Sequence, residues 1–486
     1  MRTRWLFPLA LFGACGPDEH TGVTHRVDLP DEPTPSSAGE GGGGAGGQGG
    51  AGGEVVVVPP EPPEVSAMTP LTGPYGTEVR VVGSHLGSAA RSGVTLTLGS
   101  DETRELEPES TPEIISWTES EIRFRFPFPL AGDVVVTTPQ GSVTAGQFEP
   151  NWLPGEKLAA PAAVNAIASI AHAPGTISTV LDTGPPEVVT FDGQSAASIA
   201  IDDNTLRPES IRLYRDGSEL QAFALSTATD HEIMAIDPAS DFAATSSGVT
   251  TAAENTLAGG REGASVWYRV ANDWTRVRPS GGVWAVDKGP IADPQPSGQK
   301  HTAATASDGS LYVGWAEDTG DTLDDLGAPF FRRLVSDGTA FLAKTRAGID
   351  VDDRVSSYVL SPRGSGVVGR YCGTDMDPLG ASSDDLLCYA ALVPSGVRST
   401  VKESSNVRYA FDGIEPIAAY CSATAGLRIV DEVITGTDVS ALEARAGEIV
   451  TWPCAQIVAL EVDDEGDPLV VVRYGGALYS PRPRVP

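Results

Sequence analysis

The chain has 486 residues, and its 65 acidic side chains outnumber its 33 basic ones to give a formal net charge of -32 at pH 7. This length exceeds what one compact domain usually uses, so we expect roughly two to four domains. Because such an acidic chain repels phosphate backbones, the composition argues against nucleic acid as a partner.

The first residues, MRTRWLFPLALFGAC, have the layout of an export signal. Two arginines precede an apolar run at 5–12, which is too short to span a bilayer as a helix. Small residues precede Cys15, and the segment resembles the bacterial lipobox, with Phe12 where that family usually has leucine. The resemblance implies that residues 1–14 are a removed signal peptide and that Cys15 carries lipid. It implies an extracytoplasmic, membrane-anchored lipoprotein at the outer membrane or the cell surface.

Residues 15–62 are rich in glycine and proline and poor in apolar side chains, with GGGGAGGQGGAGG at 41–53. Such a segment cannot bury enough surface to offset the entropy of ordering it, so we predict a disordered tether. Its roughly 45 residues have a root-mean-square span of about 35–40 Å if they behave as a Gly-rich coil. The proline run at 59–64 stiffens the distal end as polyproline II.

Residues 63–150 contain short runs in which polar and apolar residues alternate, with Gly and Pro turns between them. The runs lie at 78–81, 94–98, 121–126 and 134–136. Period-two alternation indicates strands with one buried face, and the spacing of the turns predicts an antiparallel β-sandwich.

The same region resembles the IPT/TIG family of immunoglobulin-like domains. The matching segments are PEVSAMTPLTGPYGTEVRVVGSHLG, then SWTESEIRFRFP, then GDVVVTTPQGSVTAGQF. The resemblance implies an immunoglobulin-like fold that works as a spacer or a binding module. Within it we expect Trp117 to belong to the core rather than to a ligand platform.

Residues 155–486 show recurring hairpin signals and no sustained helical periodicity. Signals near residues 308, 364, 412 and 465 lie roughly 50 residues apart, which suits four-stranded propeller blades. Those at 308 and 412 contain Asp-Gly, the pair that favours a type I′ turn. The pattern predicts a β-propeller-like domain of about six or seven blades. Tandem sandwiches remain the main alternative, because the repeats are degenerate and residues 226–300 fit them poorly. The predicted fold class is all-β: an immunoglobulin-like β-sandwich and a larger β-propeller-like domain behind a disordered N-terminal tether.

Four cysteines lie in the last quarter of the chain, at Cys372, Cys388, Cys421 and Cys454. In an exported protein an even set of cysteines indicates disulfides, and four allow three pairings. Proximity in sequence favours Cys372 with Cys388 and Cys421 with Cys454. A zinc site would usually need closely spaced cysteine pairs, and the sequence has none.

We find no known catalytic or metal-binding motif in the sequence. The six histidines are scattered, and neither HExxH nor GxSxG occurs. Acidic runs at 316–325, 349–354 and 462–468 lack the EF-hand order, so calcium stays a secondary alternative. We therefore predict no catalytic residues, no metal site and no cofactor.

The function that fits these features is a lipid-anchored binding or scaffold protein of the cell envelope. Its β modules would present a broad surface to a protein or glycan ligand. The alternative is a secreted hydrolase acting on glycans or peptides, with an active site in the propeller and the IPT/TIG domain as an accessory module.

Overall fold

The structure is a computed structural model, and it describes most of the chain after residue 60. The described residues are 61–90, 93–160, 164–201, 205–216, 219–228, 231–250, 257–260, 265–270, 272–280, 283–294, 301–306, 308–317, 328–346, 353–363, 366–375, 387–393, 406–412, 415–431 and 442–484. The signal peptide, Cys15 and nearly all of the tether lie outside them. Within these ranges, no helix is long and apolar enough to cross a membrane.

Two sheets form the first part of the described chain. Their strands are β1 (Glu64–Thr69), β2 (Thr72–Gly73), β3 (Glu78–Ser84), β4 (Thr95–Leu98), β5 (Arg104–Leu106), β6 (Ile114–Trp117), β7 (Glu121–Arg125), β8 (Gly132–Thr138) and β9 (Gly141–Pro150). One sheet has the strand order β1-β3-β7-β6, and the other has the order β2-β9-β8-β4-β5. Each of the four alternating runs became a strand of these sheets, because alternate side chains of a strand point to one face.

Both sheets bury their apolar faces in a common core. Val79 and Val81 of β3 and Leu96 and Leu98 of β4 are fully buried there. Trp117 is 6% exposed, and its Nε1 donates to the carbonyl oxygen of Leu86 at 2.9 Å. A buried indole with its N–H satisfied is a core residue, as the sequence suggested.

Seven further sheets and one two-stranded pair make up most of the rest of the described chain, and the first strands of most successive sheets lie side by side. Blades 1 to 4 comprise β12 (Ala166–Ala173), β13 (Thr176–Leu181), β14 (Glu187–Phe191), β15 (Ala196–Ala200); β16 (Arg212–Asp216), β17 (Glu219–Leu225), β18 (Glu232–Asp237), β19 (Ala243–Thr250); β20 (Leu257–Gly260), β21 (Ser265–Val270), β22 (Asp273–Ser280), β23 (Val283–Ala292); and β24 (His301–Thr305), β25 (Leu311–Glu317), β26 (Ala328–Leu334), β27 (Thr345–Arg346).

Blades 5 to 7 continue the same pattern. They comprise β28 (Asp353–Arg363), β29 (Gly366–Asp375), β30 (Leu387–Val393); β31 (Val407–Asp412), β32 (Glu415–Ser422), β33 (Gly426–Asp431), β34 (Glu448–Thr451); and β35 (Gln456–Val462), β36 (Pro468–Tyr474), β37 (Ala477–Tyr479). Short strands β10 (Trp152–Leu153) and β38 (Arg482–Pro483) pair with each other.

The ring closes through a strand from the beginning of the region. β11 (Lys157–Ala159) pairs with β37 and supplies the fourth strand of blade 7, and β12 of blade 1 lies beside β35. The region is thus a seven-bladed β-propeller, which confirms the predicted all-β, propeller-like class over tandem sandwiches. Residues 226–300, whose pattern fitted poorly, contribute the later strands of blade 2 and the described strands of blade 3.

The sandwich and the last two blades share one hydrophobic core. Phe128 of the sandwich packs edge-on against Tyr75 and against Tyr479 and Tyr474 of blade 7, with ring centroids 5.1, 5.1 and 5.6 Å away. Its backbone N–H donates to the carbonyl oxygen of Trp452, which links blades 6 and 7, at 2.8 Å. The sandwich is thus held against the propeller by side-chain packing.

The Trp452 segment is fixed from both sides. Gly76 of the sandwich has φ +82°, and a Cβ there would lie 2.9 Å from the Trp452 ring, so only glycine fits. The Arg125 guanidinium carbon lies 5.5 Å from the centroid of the Trp452 ring. A disulfide joins Cys421 of β32 to Cys454, two residues beyond Trp452, with a Cα–Cα distance of 5.4 Å.

Each propeller blade presents its connections on two faces. The first strand of a blade runs from one face to the other, and its neighbours are antiparallel. We call the turn face the one with the first and third connections of each blade, such as 174–175, 192–195 and 463–467. We call the loop face the one with the second connections and the links between blades, such as 182–186 and 452–455.

Candidate functional site

On the turn face, carboxylates are occupied by the fold itself. The Asp463 carboxylate accepts the N–H of Gly175 in blade 1 at 2.8 Å, and those of Glu465 and Asp467 in its own turn at 3.0 and 2.9 Å. Three backbone donors satisfy an acidic group that is only 7% exposed. Asp463 therefore shapes its own turn and joins blade 7 to blade 1.

Another turn-face carboxylate, in blade 1, is held in the same way. Asp192 accepts the Ser195 hydroxyl at 2.7 Å and the backbone N–H groups of Gln194 and Ser195 at 2.8 and 2.6 Å. The hydroxyl and then the two N–H groups lower the pKa of the Asp192 carboxyl below its usual value. This carboxylate is part of a turn rather than a free ligand.

Arginines of the turn face are paired as well. Arg215 of blade 2 makes a two-pronged contact with Asp464 of blade 7, at 2.8 and 2.6 Å, past the intervening blade 1. Arg333 of blade 4 donates to Asp308 at 2.6 Å. These two arginines are thus ion-paired, although Nε of Arg333, and Nε of Arg482 beside the turns of blade 1, have no hydrogen-bond partner.

The central channel is narrow. Cα atoms of β12 in blade 1 approach those of β28 in blade 5, across the ring, to within 8 Å. Between the neighbouring first strands of blades 1 and 7, the Ser169 hydroxyl donates to the buried Glu461 carboxylate at 2.5 Å. A passage this narrow leaves little room for a ligand, so a face of the propeller is the more accessible place for a binding site.

Arg332, inside β26 of blade 4, is nearly buried, and its guanidinium lies beside Asp293 of the loop-face link between blades 3 and 4. Its side chain is 12% exposed, and its Nε and NH1 atoms have no hydrogen-bond partner. NH1 lies 3.7 Å from the carboxylate of Asp293, beyond hydrogen-bond distance, and the guanidinium carbon lies 5.4 Å from the Trp315 ring centroid. A buried guanidinium with two donors that lack hydrogen bonds is costly, and Asp293 offsets part of that cost by its charge.

Arg212 is the first residue of β16 and therefore also stands at the loop face. Its NH1 donates to the backbone oxygens of Glu209 and Ile211, both at 2.9 Å. Among the described side chains, no carboxylate forms an ion pair with it within 4.0 Å. Burial lowers the pKa of the Arg212 guanidinium, and the Glu209 charge opposes that shift.

Backbone groups of the loop face are paired with one another. The link that leads into blade 2 donates from Arg207 N to Leu225 O at 2.8 Å, and Asp293 N donates to Asn272 O at 2.7 Å. These two described connections of the loop face are thus each held by a backbone hydrogen bond.

The cysteines expected from the sequence lie in three situations. Cys15 is outside the described residues. Cys421 and Cys454 form the disulfide given above. Cys372 and Cys388 are directly opposed in the pairing of β29 with β30, but their side chains are not described, so their disulfide stays a prediction.

One contact joins a serine to a histidine inside blade 1. His172 Nε2 lies 3.1 Å from the Ser178 hydroxyl, which lies 2.7 Å from that of Thr190. Ser178 is fully buried, so its hydroxyl cannot meet a substrate. Throughout the described ranges no three His, Cys, Asp or Glu side chains are grouped to hold a metal ion. The acidic run at 462–468 includes Asp463, whose carboxylate is occupied by backbone donors.

Arg212, Arg332 and Asp293 were not singled out from the sequence. Each belongs to a strand or a strand end, and only the placement of blades shows which carboxylates they can reach. A local signal for them does not exist, because Arg215 and Arg333, on the same strands, look equivalent in sequence.

No protein-family model matches the chain, and no curated protein matches it. Similar solved structures include auxiliary nutrient binding proteins from Bacteroides ovatus (12% identity, 87% of this chain and 99% of that chain, TM-score 0.38) and Bacteroides thetaiotaomicron (10%, 87% and 98%, TM-score 0.40). Another is the WD40 β-propeller domain of Doa1 (11%, 68% and 97%, TM-score 0.34). At these TM-scores the likenesses add nothing to the seven-bladed topology, which the chain's own strand pairing establishes.

Proposed function

We propose that the chain is a lipid-anchored binding protein of the cell envelope and that its ligand binds on the loop face of the propeller. The observation that carries this is the asymmetry between the faces. Asp463 and Arg215 of the turn face are held by backbone donors or an ion pair, and Arg333 and Arg482 there each keep one buried donor without a partner, at Nε. Arg332, beside Asp293 of the loop-face link, keeps two such donors. Buried polar groups of this kind are typical of binding sites.

The two-sheet sandwich supports a related proposal, that it is an immunoglobulin-like domain of the IPT/TIG kind. In this role it braces blades 6 and 7 through the core they share. The tether would then carry one rigid body, with the propeller and the sandwich moving together relative to the membrane.

The anchor is tested by replacing Cys15 with serine. Because a hydroxyl is not the group that a lipobox modifies, we expect Cys15→Ser to lose labelling by a radioactive fatty acid and to leave the detergent phase on phase partition. Ser36→Ala, in the tether, should behave as the unchanged chain does. Equal labelling of both variants would show that Cys15 is not the anchor.

The binding face is tested by two bulky substitutions at exposed positions. Ala228 lies on the loop face beside blade 2, and Gln194 lies on the turn face of blade 1. On an array of bacterial envelope glycans, Ala228→Trp should weaken binding of the full chain at least tenfold by occupying the face. Gln194→Trp should change it less than twofold. Binding that both variants retain, or that only Gln194→Trp abolishes, would overturn the proposed face.

A further inference from the structure

We propose that the disulfide between Cys421 and Cys454 is a redox-sensitive latch, which holds the sandwich against the propeller and releases it when reduced. The inference goes beyond the proposed function, because it concerns how the two modules are joined and not what the loop face binds. Cys421 is the next-to-last residue of β32 in blade 6. Cys454 stands in the link at 452–455, which leads from blade 6 to blade 7.

The sandwich makes three of its propeller contacts on one residue of this link, Trp452. The Phe128 N–H donates to the Trp452 carbonyl oxygen at 2.8 Å. The Arg125 guanidinium carbon lies 5.5 Å from the centroid of the Trp452 ring. Gly76 lies so close to the same ring that an added Cβ would be 2.9 Å from Cγ. Whatever fixes Trp452 therefore fixes the place where the sandwich docks.

Few other described interactions hold this link. It follows β34, the outermost strand of blade 6, which pairs with β33 at only three positions and with an irregularity between two of them. Within the described chain, residues 452–455 form one backbone hydrogen bond outside the strand ladders, the one from Phe128. The buried side chains of Trp452 and Ala455 pack into the core that the sandwich shares, so they depend on docking as much as they support it.

The disulfide supplies the restraint that the edge strand does not. It ties the link to β32, an inner strand of blade 6, through residues that are 33 positions apart in sequence. Such a cross-link limits the positions that the link can take when the edge strand opens locally. The Trp452 carbonyl oxygen therefore stays in reach of Phe128 as long as the bond is intact.

Two further contacts between the modules would not replace this anchor. The Phe128 ring meets two tyrosine rings of blade 7 edge-on, but the hydrogen bond to Trp452 holds the Phe128 backbone in the position that allows this packing. The ion pair of Lys157 with Glu102 is about half exposed at both side chains, and such surface pairs contribute little. Loss of the anchor should therefore loosen the docking contact as a whole.

The latch closes and opens by thiol–disulfide exchange. Forming the bond removes one hydrogen from each cysteine thiol, and the two electrons pass to a disulfide of an oxidising compartment, which becomes two thiols. A dithiol reductant reverses the exchange and ends as a disulfide itself. Cys454 is half-buried whereas Cys421 is 9% exposed, so the exchange is expected to start at Cys454. The sandwich should thus dock only where disulfides form, outside the cytoplasm.

The test is hydrogen–deuterium exchange of the folded full chain, with and without a dithiol. The Phe128 amide is a specific reporter, because residues 127 and 129 are prolines and have no N–H. We expect reduction to accelerate exchange of the Phe128 amide by about tenfold or more. The amides of 134–136 in β8 and of 470–472 in β36 should change by less than about twofold, since these strands stay paired within their own modules. Alkylation and mass spectrometry show which cysteines were reduced.

Two double variants assign the effect to one bond. With Cys421→Ser and Cys454→Ser together, the Phe128 amide should exchange fast with or without the dithiol. The matched control joins Cys372→Ser with Cys388→Ser, which face each other in blade 5. It should match the unchanged chain before reduction and still respond to the dithiol. Because reduction acts on a chain that is already folded, the test does not depend on whether either variant refolds.

Three outcomes would overturn the latch. The first is a Phe128 amide that stays protected after alkylation shows Cys421 and Cys454 to be reduced. The second is equal acceleration in β8 or β36, because the bond would then stabilise one module rather than join two. The third is a control variant that no longer responds to the dithiol. None of them bears on the face that binds a ligand, so failure here is distinguishable from failure of the proposed function.

Discussion

Replacing Asp293 by alanine is expected to lower the free energy of unfolding by about 3–5 kcal/mol, the cost of removing one partner of a buried charge pair. Asp293 is 3% exposed, accepts the Trp274 indole N–H at 3.3 Å and lies 3.7 Å from Arg332 across the boundary between blades 3 and 4. The carboxylate also acts on the charge of the buried Arg269. Removing the carboxylate would leave the positive charges of Arg332 and Arg269 in a poorly hydrated environment.

The measurement is urea unfolding followed by circular dichroism and tryptophan fluorescence. The matched control is Asp308→Ala, which removes a carboxylate that is 52% exposed and paired with Arg333 at the surface. Surface pairs contribute less than about 1 kcal/mol, so this variant should unfold nearly as the unchanged chain does. An Asp293→Ala midpoint that coincides with the Asp308→Ala midpoint would show that the buried pair stabilises nothing.

The contact between Asp293 and Arg332 predicts that substitutions at these two residues will not add in their effects on the unfolding free energy. Once Asp293 is alanine, Arg332 has lost its nearest opposite charge, so Arg332→Met should then cost less than it does alone. Residues in direct electrostatic contact usually couple by about 0.5–3 kcal/mol. A double-mutant cycle on the unfolding free energies measures that coupling, and a value near zero would mean that the 3.7 Å approach carries no energy.

Phe128→Ala should be the most damaging single change at the contact between the sandwich and the propeller. The ring is 1% exposed and is surrounded by three tyrosines from both modules, so its removal leaves a cavity that packed rings cannot collapse into. Truncating a buried phenylalanine costs about 3–5 kcal/mol. Because the core is shared, we expect calorimetry of the unchanged chain to show the two modules melting together.

In the Phe128→Ala chain the sandwich should melt separately, or the joint transition should fall by several degrees. Leu71→Ala is the control, because Leu71 is an apolar sandwich residue that is 52% exposed. It should leave the transition within about 1 kcal/mol of the original, as surface substitutions usually do. A Phe128→Ala transition identical to that of Leu71→Ala would mean that the contact does not couple the modules.

The alternation of polar and apolar residues predicted the strands correctly where that alternation was strong. The run at 121–126 became β7 and the run at 134–136 became the middle of β8, because alternation decides which side chains face a core. It failed where the alternation is weak, as in β9, whose sequence GSVTAGQFEP contains two glycines and few large apolar residues. The Asp-Gly hairpin at 308 likewise marks the turn between β24 and β25, since turn chemistry is local.

Such local patterns could not predict how the propeller ring closes. β11 is a three-residue strand far from β37 in sequence, and nothing in its residues says that it completes blade 7. The contact of Phe128 with Tyr474 and Tyr479 is equally non-local, because it depends on how the sandwich meets the closed ring. The sequence could therefore predict the sandwich but not its contact with the propeller.

The sequence by itself determined the all-β class and the strong acidity, and it favoured the pairing of Cys421 with Cys454 among three possible pairings, since these follow from composition and from neighbours along the chain. Only the tertiary structure decided which arginine meets a carboxylate of another blade. Arg212 and Arg215 share one strand, yet they end on opposite faces of the ring, and only one meets an aspartate from another blade. Electrostatic pairing acts through space over a few ångströms, and the folded arrangement of blades sets those distances.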